Sequence, residues 1–359
     1  LINGNISVLD VVISTSRNPR STRVASAFPV VYSTLSPQAL VEQVLSNYPI
    51  ATITNCLLWN RGLSDIYLVE TEQEYYVLRV SHNHWRSQLD IEFELELLDF
   101  WHQNSLPVAY PLRTRENSLS ITIKALEGDR YAALFPYAKG TVPLGDLTIA
   151  QSKILGQSLA NLHQVGTKFQ PSQHSVILEK LTNKNLSLEY LLDNSCATIA
   201  PFMEGRPEDL QYLLDNIARI KAELKNLPQK SPLWTTCWGD PHSGNIHFTE
   251  DNGITLFDFD QCGYGWRAFD LAKFLQVSLR AGLNRKIRNA FFEGYQAIQK
   301  LTSEEEDCLQ ALTQTAHIWA WAININASVV HCWSRLDQGY FTKRLGRLKR
   351  LNSPDWQLF

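Results

Sequence analysis

Residues 237–245 read Cys-Trp-Gly-Asp-Pro-His-Ser-Gly-Asn, and residues 254–260 read Ile-Thr-Leu-Phe-Asp-Phe-Asp. Moving a phosphoryl group to a hydroxyl needs a carboxylate facing the acceptor, an amide oxygen on a metal ion, and a second carboxylate joining that metal to the triphosphate. Asp240 and Asn245 have the spacing for the first two, and Asp258 closes the apolar run Ile254 to Phe257 that would present it at a strand end. The reading therefore expects Asp240 as catalytic base and Asn245 and Asp258 as magnesium ligands. Taken singly, Gly239-Asp240 and Asn252-Gly253 are ordinary turn residues and Asp258 a strand cap. Their shared order around a hairpin of 245–248 and 254–257 favours a single metal site. A metal-dependent hydrolase using Asp240, His242, His247, Asp258 and Asp260 is the competing arrangement.

Working outward, the 359 residues provide for two domains, and 44% hydrophobic with 19% charged residues is a globular composition. A net charge of -3 gives no reason to expect nucleic-acid or anionic-membrane binding. Six scattered cysteines show no Cys-x-x-Cys spacing, so reduced thiols and a cytoplasmic setting are expected. No leader-like apolar run opens the sequence, and the most apolar stretch, 316–330, is broken by His317, Asn324, Asn326 and Ser328 and reads as a buried helix.

Three parts are expected: an extension over 1–35, a nucleotide-covering lobe over 36–137, and a catalytic lobe over 138–359. Ser36-Pro37 caps a helix running to Asn47. Short β-rich runs at 57–59, 66–69 and 75–80 predict a three-stranded meander. Gly62 and Ser64 sit in its first turn, where a kinase covers the ATP phosphates, and Arg79 lies on its third strand. Ser87 opens a helix to Gln103 that offers Glu94 as the partner of Arg79, with Glu92 and Glu96 as competitors. Strands over 119–124 and 130–135 then lead to a hinge at 136–140, flanked by Phe135 and Tyr137. Thr148 caps a helix ending at Gly166, and mostly helical chain follows.

Gly-Asp-x-His-x-x-Asn followed by Asp-Phe-Asp, Gly265 and Phe269-Asp270-Leu271-Ala272 resembles the aminoglycoside phosphotransferase and choline kinase superfamily, and within it the bacterial stress response kinase A group, from about Pro37 to about Leu345. The resemblance implies an α+β, two-lobed protein-kinase-like fold: a small antiparallel sheet with one helix, then a larger helical lobe, with ATP and Mg2+ between them. It implies adenine binding by the hinge backbone, a bracing role for Asp270, and metal or loop contacts for Asp260. His242 is expected to fix the loop by hydrogen bonding. Two positions depart from the family: Trp238 stands where His is usual, and Arg79 where Lys is common. The implied acceptor is a hydroxyl, with protein Ser/Thr preferred, small metabolites such as amino alcohols or aminoglycosides as the alternative, and a non-catalytic nucleotide-binding regulator as the second.

From Cys308 to Ser334 there is no Asp, Glu, Lys or Arg. Helical spacing places Ile318, Ala322, Ile325, Val329 and Cys332 on one stripe and His317, Trp321, Asn324, Ser328 and His331 on another. The polar stripe either pairs within the core or lines a cleft in which Trp321, Asn324 and Ser328 bind the acceptor.

Overall fold

Alternation with a period of two is clearest in the segment 75–81, where Leu78 and Val80 are fully buried while Val77 and Arg79 are half-buried on the opposite face. A computed structural model describes residues 28–143, 147–171 and 185–358. Its strands are β1 (Ile53–Arg61), β2 (Ser64–Thr71), β3 (Tyr75–Ser81), β4 (Ile121–Ala125) and β5 (Gly128–Pro136), then β6 (Trp234–Cys237), β7 (Ile246–Phe248), β8 (Ile254–Leu256) and β9 (Gly263–Trp266). The helices are α1 (Pro37–Gln43), α2 (Gln88–Gln103), α3 (Ile149–Gly166), α4 (Asn194–Ile199), α5 (Pro207–Leu224), α6 (Arg267–Ala281), α7 (Arg285–Ile298), α8 (Ser303–Asp307), α9 (Leu309–His331) and α10 (Gln338–Leu351).

β1 to β5 form one antiparallel sheet in the order β1-β2-β3-β5-β4. One face buries Tyr67, Val69, Leu78, Val80, Ala132 and Leu134 under Leu40, Val44, Leu45 and Tyr48. The other presents Ala133 and Phe135 to α2, whose Phe93, Leu95 and Leu98 join the core shared with the helical lobe. This is the expected two-lobed α+β fold. Helix α1 stops at Gln43 and continues as a 3-10 turn over Leu45–Asn47. Of the extension, residues 1–27 lie outside the described part. Its end is fastened to the sheet: Ser33 Oγ donates to Glu127 Oε2 at 2.7 Å, and Tyr67 OH to the Leu35 carbonyl at 2.9 Å.

Ser87 and Thr148 cap the helices that the sequence predicts, and each cap is completed as a capping box, Ser87 with Asp90 on α2 and Thr148 with Gln151 on α3. Each cap is worth about 0.5–2 kcal/mol. α3 packs against α7 through two glycines. A Cβ on Gly156 would lie 2.0 Å from the Phe291 carbonyl oxygen, and one on Gly294 would lie 2.1 Å from that of Lys153. Any side chain would push these helices apart. The pairs β6 with β9 and β7 with β8 are antiparallel and hold residues 238–245 between them. No helix among the described residues is long and apolar enough to cross a membrane.

Candidate active site

Glu94 is fully buried on α2 and meets two cations. Arg79 Nη1 and Nη2 donate to its Oε1 and Oε2 at 2.7 and 2.8 Å, a bidentate fork, and Arg86 Nη1 donates to Oε2 as well. Burial opposes the Glu94 charge, but Arg79 and Arg86 outweigh it and bring its pKa down to about 2. Glu92 and Glu96, the competing partners, are not the ones in this fork. Arg86 was not anticipated, because it stands just before the N-cap Ser87 and belongs to no periodic pattern.

The loop after β6 is held from beneath by Asp270 on α6, which has no exposed surface. Its Oδ1 accepts from the Gly239 N–H at 2.8 Å and its Oδ2 from the Trp238 N–H at 2.7 Å. His163 Nε2 lies 2.9 Å from the same Oδ2, with Tyr295 OH 2.8 Å from its Nδ1. Gly239 adopts φ 87°, and a Cβ there would lie 2.2 Å from the Gln261 carbonyl oxygen, so both the turn and the close approach need glycine. Trp238 lies in the core, stacks on Phe259 with ring centroids 5.0 Å apart, and donates from Nε1 to the Asp258 carbonyl at 3.0 Å. The indole thereby ties together the two loops that carry the carboxylates.

Asp240 Oδ1 lies 3.2 Å from Lys273 Nζ, and Oδ2 lies 3.6 Å from His242 Nε2. Burial raises the Asp240 pKa, but Lys273 and His242 overcome that and hold the carboxyl below its usual range. Lys273 is buried on α6 with Nζ 5.8 Å from the Trp319 ring. It was missed in the sequence, where it is one cation on an amphipathic helix. His242 Nδ1 accepts from the Gly244 N–H at 3.0 Å, which puts the ring proton on Nε2, toward Asp240.

Asp258 has φ 60°, a left-handed conformation uncommon outside glycine. Burial first, then repulsion from Asp260 and Asp240, pushes its carboxyl well above the ordinary carboxylate range. Asp240, Asp258 and Asp260 are thus near enough for their charges to act on one another. Asn245 Nδ2 donates to the Asp240 carbonyl at 3.1 Å, leaving its Oδ1 as a further oxygen donor. Asp260 Oδ2 instead accepts from Trp85 Nε1 at 3.2 Å, linking the catalytic lobe to the sheet lobe. His247 does not join this group: its Nδ1 donates to the Ala138 carbonyl at 2.8 Å and its ring packs on Phe257. The hydrolase arrangement loses one of its five members on that geometry.

These groups line a cleft of about 550 Å³ between the lobes, together with Gly62, Ser64, Val77, Phe135, Tyr137 and Ala138. Gly62 N–H donates to the Ser64 carbonyl at 3.0 Å in the tight β1–β2 turn. At the hinge, Tyr137 N–H donates to the Tyr75 carbonyl at 3.0 Å. The profile of the phosphotransferase enzyme family matches residues 58–312, which span the sheet, the hinge, the catalytic loop and Asp270. The chain belongs to this family.

It is therefore an ATP-dependent phosphotransferase with a hydroxyl acceptor. The chain is 52% identical to an uncharacterized protein of Synechocystis over 95% of this chain and 92% of that one. It is 29% identical to a homoserine kinase of Pseudomonas aeruginosa over 51% of this chain and 52% of the relative. The structure of amicoumacin kinase hAmiN, in complex with AMP-PNP, Ca2+ and Ami, superposes with a TM-score of 0.67 and 17% identity, covering 88% of this phosphotransferase and 93% of that chain. That last likeness establishes the fold.

A second cavity of about 500 Å³ adjoins the cleft, and Leu63, Asp260, Gln261, Trp319 and Ile323 line both. Its far wall is α9, and here the sequence reading needs correction. Trp321 is fully buried against Phe341, with ring centroids 6.1 Å apart, and lines neither cavity. Ser328 is also buried and absent from both walls, while Asn324 is exposed at the cleft with its Nδ2 donating to the Ala320 carbonyl at 2.6 Å. The reason is that α9 packs against α4, α6 and α10 on different sides, so the face left to the cavities is Trp319, Ala322, Ile323 and Asn326. On the expected apolar stripe, Ile318, Ala322 and Ile325 are buried but Val329 is exposed. His317 follows the core alternative: Nε2 donates to the Arg344 carbonyl at 2.9 Å, and burial lowers its pKa to about 3.

Proposed function

We propose that this phosphotransferase moves the γ-phosphate of ATP, with Mg2+, to the hydroxyl of an amine-bearing small molecule. The observation that carries the reading is that Asp260 lines both the lobe cleft, which holds Asp240, and a second cavity of about 500 Å³. A volume of that order suits a small ligand. Asp260, Trp85 and Trp319 line the cavity, and a carboxylate beside aromatic rings favours a cationic ligand. The named acceptors of the relatives, homoserine and amicoumacin, are small molecules, which favours this reading over the protein Ser/Thr acceptor expected from the sequence.

In the proposed mechanism, Asp240 accepts a hydrogen bond from the acceptor hydroxyl and orients it for in-line attack. Kept ionised by Lys273, it is a weak base, so proton acceptance comes late, once the new P–O bond makes the hydroxyl acidic. Arg79, aligned by Glu94, contacts the phosphates, and its planar fork replaces the ammonium usual in the family. Gly62 and Ser64 cover the phosphates, Phe135 and Tyr137 flank the adenine, and the Ala138 N–H serves its ring. Asn245 Oδ1 and Asp258 would hold Mg2+, which when bound would neutralise phosphate charge. Asp270 and His242 keep the loop in shape, and Asp260 fixes Trp85 at the acceptor side.

A panel assay with γ-labelled ATP tests the acceptor class. Amino alcohols and hydroxy amino acids should be labelled, with N-acetylated analogues at least ~10-fold poorer, as loss of a charge-assisted contact implies. Labelling of Ser/Thr peptides alone would overturn the proposal.

A further inference from the structure

Beyond the carboxylate site, three histidines converge at the junction of the lobes. His82 and His84 follow β3, the strand that carries Arg79, and His331 ends α9. One ring nitrogen from each lies within 4.8 Å of the other two. The ring centroids are 5.5 Å apart for His82 and His84, 5.4 Å for His82 and His331, and 6.2 Å for His84 and His331. His82 is only 1% exposed, and its Nδ1 is buried without any hydrogen-bond partner. Its Nε2 lies 3.4 Å from Asp65 Oδ1.

An orphaned imidazole nitrogen in the core costs about 1–3 kcal/mol. Donation of Nε2–H to Asp65 leaves Nδ1 as a lone pair with nothing to give it to, which is the carboxylate–histidine relay that orients a metal ligand. Asp65 is itself fixed by Arg130 Nη2 at 2.8 Å and by Tyr32 OH. His84 and His331 are exposed, so their rings can turn inward. A tetrahedral zinc with bonds of about 2.0–2.1 Å needs nitrogens about 3.3 Å apart, a closure those two side chains can supply by rotation.

We propose that His82, His84 and His331 form a binding site for a borderline divalent metal of the zinc class, with a fourth position open to solvent. Three neutral imidazoles suit zinc, nickel or copper and do not suit the hard, oxygen-seeking Mg2+ of the carboxylate site. Because His84 and His331 also line the second cavity, the metal would pin the sheet lobe to the end of α9 beside that cavity. It would thus set how far the lobes separate at the acceptor side.

The experiment uses the full chain stripped with a chelator and dialysed, then titrated with Zn2+ alone against a chromophoric competitor. The expected result is one tight site per chain, weakened at least ~100-fold by His331→Ala and by His84→Ala, with a zinc-dependent rise in Tm that both variants lose. Cys332→Ser is the control, since Cys332 neighbours His331 in sequence. Zinc affinity unchanged by the two alanine variants would overturn the site, as would affinity lost only with Cys332→Ser. His82→Ala is left aside because removing a buried ring endangers the fold.

Discussion

The two sides of the inter-lobe space are built on opposite principles. On the nucleotide side several charges have fixed counterparts: Glu94 holds Arg79 and Arg86, Asp270 holds two backbone N–H groups, and Lys273 faces Asp240. On the acceptor side α9 contributes no Asp, Glu, Lys or Arg, and its part of the wall includes Trp319, Ala322, Ile323 and Asn326. Paired charges in low dielectric are rigid and costly to disturb. A neutral wall of mixed shape can change at little cost, so the proposed function assigns chemistry to the first side and acceptor choice to the second.

The contrast breaks most visibly at Asp258. Asp258→Asn replaces a carboxylate by a neutral oxygen donor at a hard cation. We expect turnover to fall on the order of 100-fold and the Mg2+ half-saturation to rise at least ~10-fold, judged against losses of other positioned charges. Titrating Mg2+ at fixed ATP checks this, and an unchanged half-saturation would remove Asp258 from the metal site.

A smaller effect should separate Lys273 from the groups around it. The Asp240 pKa is held down, so the ionised form persists as pH falls and activity that needs it extends to the acid side. Lys273→Met leaves only His242 to oppose burial, and the acid limb of kcat/KM should move to higher pH, with a loss of about 10-fold at neutral pH. A pH profile that keeps the wild-type limb would show that Lys273 does not set this ionisation.

The smallest effects sharpen the acceptor wall. Trp321→Leu should lower Tm by several degrees through a core cavity and leave the acceptor KM nearly unchanged. Trp319→Leu should raise acceptor KM a few-fold, the scale of one lost cation–π contact. Equal effects of the two substitutions on KM would mean that the face of α9 has been misassigned.

The same contrast explains what the sequence made legible. Asp240, Asn245 and Asp258 share one short stretch, and the hairpin that brings them together is local, so their proximity follows from spacing alone. The capping boxes of α2 and α3 are equally local, as are the strand alternations that give the sheet. Lys273, Arg86 and His163 reach the site from other elements, and nothing in their own neighbourhoods marks them. For α9 the periodicity was real, but a helix flanked on several sides has no single core face, so a period of 3.6 could not choose between Trp319 and Trp321. Trp238 was visible as a departure from the family, yet its bond to the Asp258 carbonyl depends on a loop 20 residues away.

The central claim is that Asp240 orients the hydroxyl of a small acceptor without contributing to nucleotide binding. The most direct measurement compares Asp240→Asn with the unaltered chain for ATP affinity by calorimetry and for acceptor phosphorylation in the same buffer. The account predicts ATP affinity within a few-fold and phosphorylation reduced at least ~100-fold, the usual consequence of losing a positioned catalytic group. Phosphorylation near the original rate, or ATP affinity lost in parallel with it, would contradict that role.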